Sequence, residues 1–340
     1  MDLERSLVVT NATKRVNDPL KIVITDGTTD IARSFAYKVL YGHVFGKDRP
    51  IVMSFYELPD KATFLESVMI ELTSFAPNLL HDISYGHEAA VEFNNADVVV
   101  CIGFAREYDF KPDEYDDPFF QEHIRISKFY GEAIERYVKR DARIIVLGNT
   151  AATIISRYAT SIPKRNITTP SLINSNIATS QIAARMQCLP TDVKGVIIWG
   201  SNGSCSFPDC RYMYLATGKP VTDSLRVWIR NNLAKVIRNV SSRPAHIRSI
   251  AYALAEHCRT LWHGTLENEW TNMGVFSDHS YSVRSGIFFS FPVHCRNKQC
   301  EIVQDLDCDR YIKKYIWDLS RLINREIQYG FDICGIPCSY

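Results

Sequence analysis

No run of about 18 apolar residues occurs in the chain, so a membrane-spanning helix is not expected. Neither sign of charge is in excess. The 39 Lys and Arg residues face 38 Asp and Glu, a net charge of +1. A dedicated nucleic-acid binder usually carries a basic surplus, so no nucleic acid is expected as a partner. The N-terminus lacks the apolar stretch of roughly 7–15 residues that a secretory signal needs. Its longest apolar run is Leu7-Val8-Val9, and Asp2 and Glu4 make it unlike an acid-poor transit peptide. Residues 1–19 therefore read as a polar tail and the expected location is cytoplasmic. CxxC spacing is also lacking. The ten cysteines are scattered, which suits free thiols better than a disulfide framework. Cys295/Cys300 reads as part of a hairpin and Cys334/Cys338 as part of a loose tail, with no metal expected. There is no internal repeat and no low-complexity tract. What the chain does have is packing material: 46% hydrophobic residues, including 17 Tyr, 17 Phe and 5 Trp, over 340 positions. That suffices for one large domain or two fused ones.

Short apolar runs alternate with helical periodicity through the first half. Strands are expected at Lys21–Thr25, Ile51–Tyr56, Ala96–Ile102 and Arg143–Leu147. Helices are expected after Asp30, from about Asp60, and over Phe119–Tyr137. Strands that are apolar on both faces imply a parallel sheet covered on each side, the α/β class. Ligands of such sheets bind beyond the carboxyl ends of the strands. Those ends carry Asp26-Gly27, Glu57, Gly103 and Gly148-Asn149. The second half mixes strands with long helices, which implies an α+β lobe. Its expected elements are helices near Asn176–Gln187, Asp223–Arg238, Ala245–Trp262 and Arg310–Ile327. Strands are expected at Val196–Gly200, Thr271–Val275 and Ile287–Val293, with a hairpin near Thr217-Gly218-Lys219.

An ordered set of motifs then carries a family resemblance. VFGKDRPIVM (44–53), Glu71-Leu72, Leu147-Gly148-Asn149, SIPKRN (161–166), DVKGVIIWGS (192–201), FPD (207–209), WHGT (262–265), NMGVFSD (272–278) and FSFPV (289–293) run in sequence from about Lys21 to Gln328. Together they resemble cytosolic-type malate dehydrogenases, within the lactate/malate dehydrogenase superfamily, with this chain a divergent paralogue. The resemblance implies a Rossmann-like NAD-binding lobe over 20–172 and a C-terminal catalytic-type α+β lobe over 173–330, followed by a tail over 331–340. It also implies a homodimer, or a dimer with a related subunit, and NAD as cofactor.

Hydride transfer from a 2-hydroxy acid needs a histidine base, a carboxylate to orient it, and an arginine fork for the substrate carboxylate. At the matching positions this chain has Asn202 for the base, Asn174 for the orienting acid and Leu172 for the arginine. Asparagine does not take up a proton at neutral pH. The loop FAREYDFKPDEYDDPFF (104–120) keeps one arginine, Arg106, among Asp113, Glu114, Asp116 and Asp117. Those charges would repel a dianion. Arg106, Asn149 and Ser249 are the remaining substrate-binding candidates. Around the cofactor, Gly27, Ile31, Glu57, Gly103, Gly148 and Asn149 match. Asp26, Thr29 and Asp30 depart from the glycine-rich turn and weaken NAD binding by charge and bulk. His123 and Tyr130 replace polar residues near the cofactor. Cys205 as a thiol nucleophile, and His246 or His257 as a surrogate base, are further candidates. The expected function is a family member that has lost catalysis and acts in binding or regulation. The alternative is a working NAD-dependent oxidoreductase on malate, oxaloacetate or a related 2-hydroxy acid.

Overall fold

A computed structural model describes residues 18–103, 118–201, 205–241 and 247–336. Chain order begins with β1 (Leu20–Thr25), α1 (Asp30–Leu40), β2 (Ile51–Tyr56), α2 (Leu65–Ser74), β3 (Leu80–Gly86) and the single turn α3 (Ala89–Glu92). It continues with β4 (Val98–Cys101), α4 (Pro118–Tyr137), β5 (Arg143–Val146), α5 (Asn149–Tyr158), β6 (Ile167–Pro170) and α6 (Leu172–Met186). The second half holds β7 (Val193–Lys194), β8 (Ile197–Gly200), β9 (Ser206–Asp209), β10 (Tyr214–Leu215), α7 (Asp223–Trp228) and α8 (Ala234–Ser241). Last come α9 (Ile247–His263), β11 (Thr271–Phe276), β12 (Phe288–Arg296), β13 (Gln299–Ile302) and α10 (Arg310–Cys334).

Six parallel strands lie in the order β3-β2-β1-β4-β5-β6. This is the doubly wound nucleotide-binding order, with its crevice at the carboxyl ends near β1 and β4. The sheet then continues antiparallel through β11, β12, β8 and β9, with β13 folded back on β12. Strands β1, β4 and β5 are buried along nearly their whole length, as the unbroken apolar runs require. Helix α1 seats Ile31, Ala32, Phe35, Ala36, Val39 and Leu40 in the core. Each large side chain so buried is worth about 1.5–3 kcal/mol. Among the described residues no helix is long and apolar enough to cross a membrane.

Several expectations need correction. Tyr214-Leu215 pairs with Val193-Lys194, so Gly218 turns the chain but closes no hairpin there. The last helix runs to Cys334, so the segment read as a tail from 331 begins as helix. Helix α6 starts at Leu172, earlier than its apolar spacing suggested. The helix expected over Asp223–Arg238 has a π-helical turn at Ile229–Leu233 between α7 and α8. Strands β3, β6 and β9 had no counterpart in the sequence reading.

Candidate active site

The crevice at the ends of β1, β2 and β4 is built around Asp26. Its backbone lies in the left-handed region at φ 53°, which suits glycine best and tolerates aspartate better than most residues. The side chain does not turn out toward solvent. Its Oδ2 accepts hydrogen bonds from the Thr25 hydroxyl at 2.6 Å and the Tyr130 hydroxyl at 3.1 Å. Loss of hydration raises the Asp26 pKa to about 6; Thr25 opposes the rise, and the Glu57 carboxylate adds to it. A Cβ placed on Gly103 would stand 2.9 Å from Asp26 Oδ2, so Gly103 leaves the room that this carboxyl fills. Tyr130 is fully buried against Tyr56 and Phe93, and it ties α4 to the turn.

Glu57, at the end of β2, is only 1% exposed. Its Oε2 accepts from the Thr28 backbone N–H at 3.2 Å and the Thr28 hydroxyl at 2.6 Å. Its Oε1 accepts from the Leu58 N–H at 3.1 Å. The acid expected to meet a ribose diol is thus also hydrogen-bonded across the turn. Thr29 caps α1, its hydroxyl accepting from the Ala32 N–H and donating to the Asp26 carbonyl. Asp30 is ion-paired with Arg33. Gly27 is required by packing: a Cβ there would meet Leu65 Cδ2 at 2.8 Å and Phe55 Cδ1 at 2.9 Å. Ile31, expected at the cofactor, sits in the core beneath the turn at 3% exposure.

Gly148, at φ 130°, delivers the chain into α5. Asn149 follows, and its amide is engaged by the protein. Nδ2 donates to the carbonyls of Gly200 at 3.0 Å and Phe288 at 3.1 Å. Oδ1 accepts from the Thr169 hydroxyl at 2.7 Å. Both amide protons are therefore committed to stitching α5 to β8 and β12, and Asn149 stands as a joint between the lobes.

Beyond β8, Asn202 lies outside the described residues, as does Arg106 in the 104–117 stretch and His246. Asn174 is fully buried in the first turns of α6, and its Nδ2 donates to the Ser206 hydroxyl at 2.9 Å. Leu172 is half-buried and packs on the apolar cluster of α6 and β8. Ser249 is exposed on the first turn of α9. Cys205 is half-buried, and its carbonyl accepts the Ser201 N–H at 2.9 Å. His257 is no surrogate base. It is fully buried, its Nε2 pairs with the Thr168 hydroxyl at 2.8 Å, and burial lowers its pKa to about 3. No cluster of three metal-ligating side chains exists among the described residues.

The structure adds residues that the sequence did not nominate. Thr25, Thr28, Thr169 and Ser206 are small hydroxyl residues bonded to Asp26, Glu57, Asn149 and Asn174, respectively. Glu326 on α10 accepts from the Thr150 hydroxyl at 2.6 Å, one residue beyond Asn149. Burial raises its pKa to about 7. Nothing in the local sequence marks these partners, because most lie 20 or more positions from the residue they bond.

Residues 173–332 match the lactate/malate dehydrogenase alpha/beta C-terminal domain. Cytoplasmic malate dehydrogenase of Rattus norvegicus is 30% identical over 334 residues, covering 93% of this chain and 98% of the relative. That of Taenia solium is 31% identical over 310 residues, covering 87% and 92%. Among solved structures, malate dehydrogenase from Naegleria fowleri superposes with a TM-score of 0.84 at 24% identity, over 94% of this chain and 99% of that one. Trichomonas vaginalis lactate dehydrogenase in complex with NADH and oxamate superposes with a TM-score of 0.83 at 18% identity, over 93% and 99%. With a doubly wound nucleotide-binding sheet, this C-terminal domain and near full-length similarity, the chain belongs to the cytosolic-type malate dehydrogenase family of the lactate/malate dehydrogenase superfamily, as a divergent member.

Proposed function

We propose that this chain has lost malate–oxaloacetate catalysis and acts as a binding or regulatory subunit, as a homodimer or paired with a related subunit, in the cytoplasm. The observation that carries the reading is the Asn174–Ser206 bond. A histidine base needs a neighbouring carboxylate to fix its tautomer and to stabilise the imidazolium that forms. At this position the chain offers a neutral amide, and one of its protons is already given to Ser206. The residue it would orient is Asn202, which cannot act as the base. Leu172 puts a branched alkyl group where a guanidinium would grip a carboxylate. Members of one catalytic unit fail together, so losing several costs little more than losing one.

The cofactor residues support weakened NAD binding rather than an unaltered site. NAD would use the α1 N-terminus for its pyrophosphate and an acid at the end of β2 for its ribose. Thr28 occupies Glu57, and Asp26 fills the space beside Gly103. Hydride acceptance is the chemistry NAD supplies when bound; the residues of this chain would hold and orient it. A second reading, a working NAD-dependent oxidoreductase, is favoured by Glu57 itself, since an acid there suits NAD over NADP. The deciding experiment is oxaloacetate-dependent NADH oxidation at high protein concentration, with NADH binding followed by fluorescence. No turnover, with weak or no binding, is expected. Turnover abolished by Arg106→Ala would overturn the first reading in favour of the second.

A further inference from the structure

The β12–β13 hairpin carries a pair of cysteines in cross-strand register, Cys295 opposite Cys300. The hairpin turns on two residues, Asn297 and Lys298, at φ 52° and 61°. Two left-handed residues make a type I′ turn, which matches the strand twist. Arg296 and Gln299 close that turn, and the next pair outward is Cys295 and Cys300. Pairs alternate along an antiparallel ladder, so this next pair is the non-hydrogen-bonded kind. Such a pair has its Cα atoms about 4.5 Å apart and its side chains closest, within the span a disulfide accepts. The two Sγ atoms stand 3.1 Å apart. Met273 Sδ lies 3.8 Å from Cys295 Sγ and 3.5 Å from Cys300 Sγ. Cys295 is fully buried and Cys300 half-buried, and the Cys295 contact together with burial raises the Cys300 pKa, so the resting pair is a dithiol and the less buried Cys300 is the first to be attacked.

We infer that Cys295 and Cys300 form an oxidisable dithiol, a modification site that a peroxide converts to a cross-strand disulfide within the hairpin. The Cys300 thiolate attacks one oxygen of hydrogen peroxide. An S–O bond forms, the O–O bond breaks, and the departing hydroxide becomes water with the proton that the Cys300 thiol released on ionising. Cys295 Sγ then attacks the sulfenic sulfur of Cys300. The S–S bond forms, the S–O bond breaks, and the leaving hydroxide takes the second thiol proton as another water. Two thiols lose two electrons and one peroxide gains them. The hairpin tip is anchored where the bond would form. Lys298 Nζ rests 3.6 Å from the centre of the Trp262 ring, and its carbonyl accepts from Arg143 Nε at 2.7 Å. The disulfide would therefore staple a tip that is already docked rather than drag it to a new place.

The test uses the full chain, exposed to a few equivalents of hydrogen peroxide, blocked with N-ethylmaleimide and digested with trypsin after denaturation. Arg296 and Lys298 lie between the two cysteines, so trypsin separates them into different peptides. The expected result is a loss of two hydrogens from the protein mass, with those two peptides travelling together until reduced. Cys300→Ser should abolish both. The linkage is read on the wild-type protein, so the test does not depend on that variant folding. Cys300 recovered as sulfinic acid with Cys295 still alkylated would overturn the proposal. Linkage of either cysteine to a different one would do the same.

Discussion

The Thr28 hydroxyl donates to Glu57 Oε2 at 2.6 Å, and the Thr28 backbone N–H reaches the same oxygen at 3.2 Å. The acid at the end of β2 is thereby held by the turn that follows β1. A ribose diol bound at this carboxylate would compete with Thr28 for Oε2. Hydrogen bonds to charged groups are worth about 1.5–3 kcal/mol net.

Thr28→Ala should therefore tighten NADH binding. Removing the hydroxyl frees one lone pair of Glu57 and leaves the backbone bond in place. A gain of about 1.4 kcal/mol corresponds to a tenfold lower Kd. Titration of NADH fluorescence on the variant and the parent checks this. An unchanged Kd would mean that Glu57 is not what limits binding.

The Asp26 carboxyl and the Gly103 α-carbon compete for one space. Gly103→Ala places a Cβ 2.9 Å from Asp26 Oδ2, and overpacking of this kind costs about 1–3 kcal/mol. In the Asp26→Gly background the obstacle is gone, so the same substitution should cost much less. Urea denaturation of the four proteins gives the coupling between the sites directly. Additive effects would show that Asp26 does not occupy the space beside Gly103 in solution.

The altered positions could be read from the sequence; their partners could not. Strands β1, β4 and β5 declared themselves because they are apolar on both faces. Strand β3 did not, since His81 and Asp82 are exposed at the sheet edge and break the alternation. Strand β6 did not either, because Thr168 and Thr169 look like loop residues until His257 and Asn149 bond their hydroxyls. The site behaves the same way. Asn174, Asp26 and Glu57 stand out by position, and the sequence does not reveal the partners that hold the two acids. Both were expected to face a cofactor, and both turn inward to hydroxyl groups brought near by the fold.

Three desolvated groups set opposing pH dependences. Asp26 has its pKa raised to about 6 in the fold from an ordinary value of 3.8. The folded state then binds more protons than the unfolded one between those values, so stability falls as pH rises through that window. Glu326, raised from 4.5 to about 7, acts in the same direction across its own window. His257, lowered from 6.5 to about 3, binds fewer protons when folded, so its contribution rises with pH from 3 to 6.5. The parent curve is a partial cancellation, and the differences between variants are the readout. Asp26→Asn should remove a loss of about 2 kcal/mol that the parent suffers between pH 4 and 6. His257→Gln should remove the acid-side loss while keeping a bond to Thr168. Thermal midpoints from pH 4 to 8 for the three proteins decide it, and parallel curves would contradict the assignment.

Restoring the base alone should not restore turnover. Asn202→His would supply an imidazole, but Asn174, at the position of the orienting acid, carries no charge and donates to Ser206. The imidazolium formed during hydride transfer would lack its counter-charge, and an orienting carboxylate contributes about four orders of magnitude in the best-studied case. Leu172 would still leave the substrate carboxylate ungripped. Adding Asn174→Asp buries a carboxylate that can accept from the Ser206 hydroxyl, at a stability cost of about 1–3 kcal/mol. Adding Leu172→Arg then completes the fork, with the guanidinium replacing a side chain that packs on the α6 cluster. Malate-dependent NAD reduction should stay at background for Asn202→His and rise above it only in the triple variant. Substantial turnover by the single variant would show that other groups already do the work of the orienting acid and the arginine replaced here by Asn174 and Leu172.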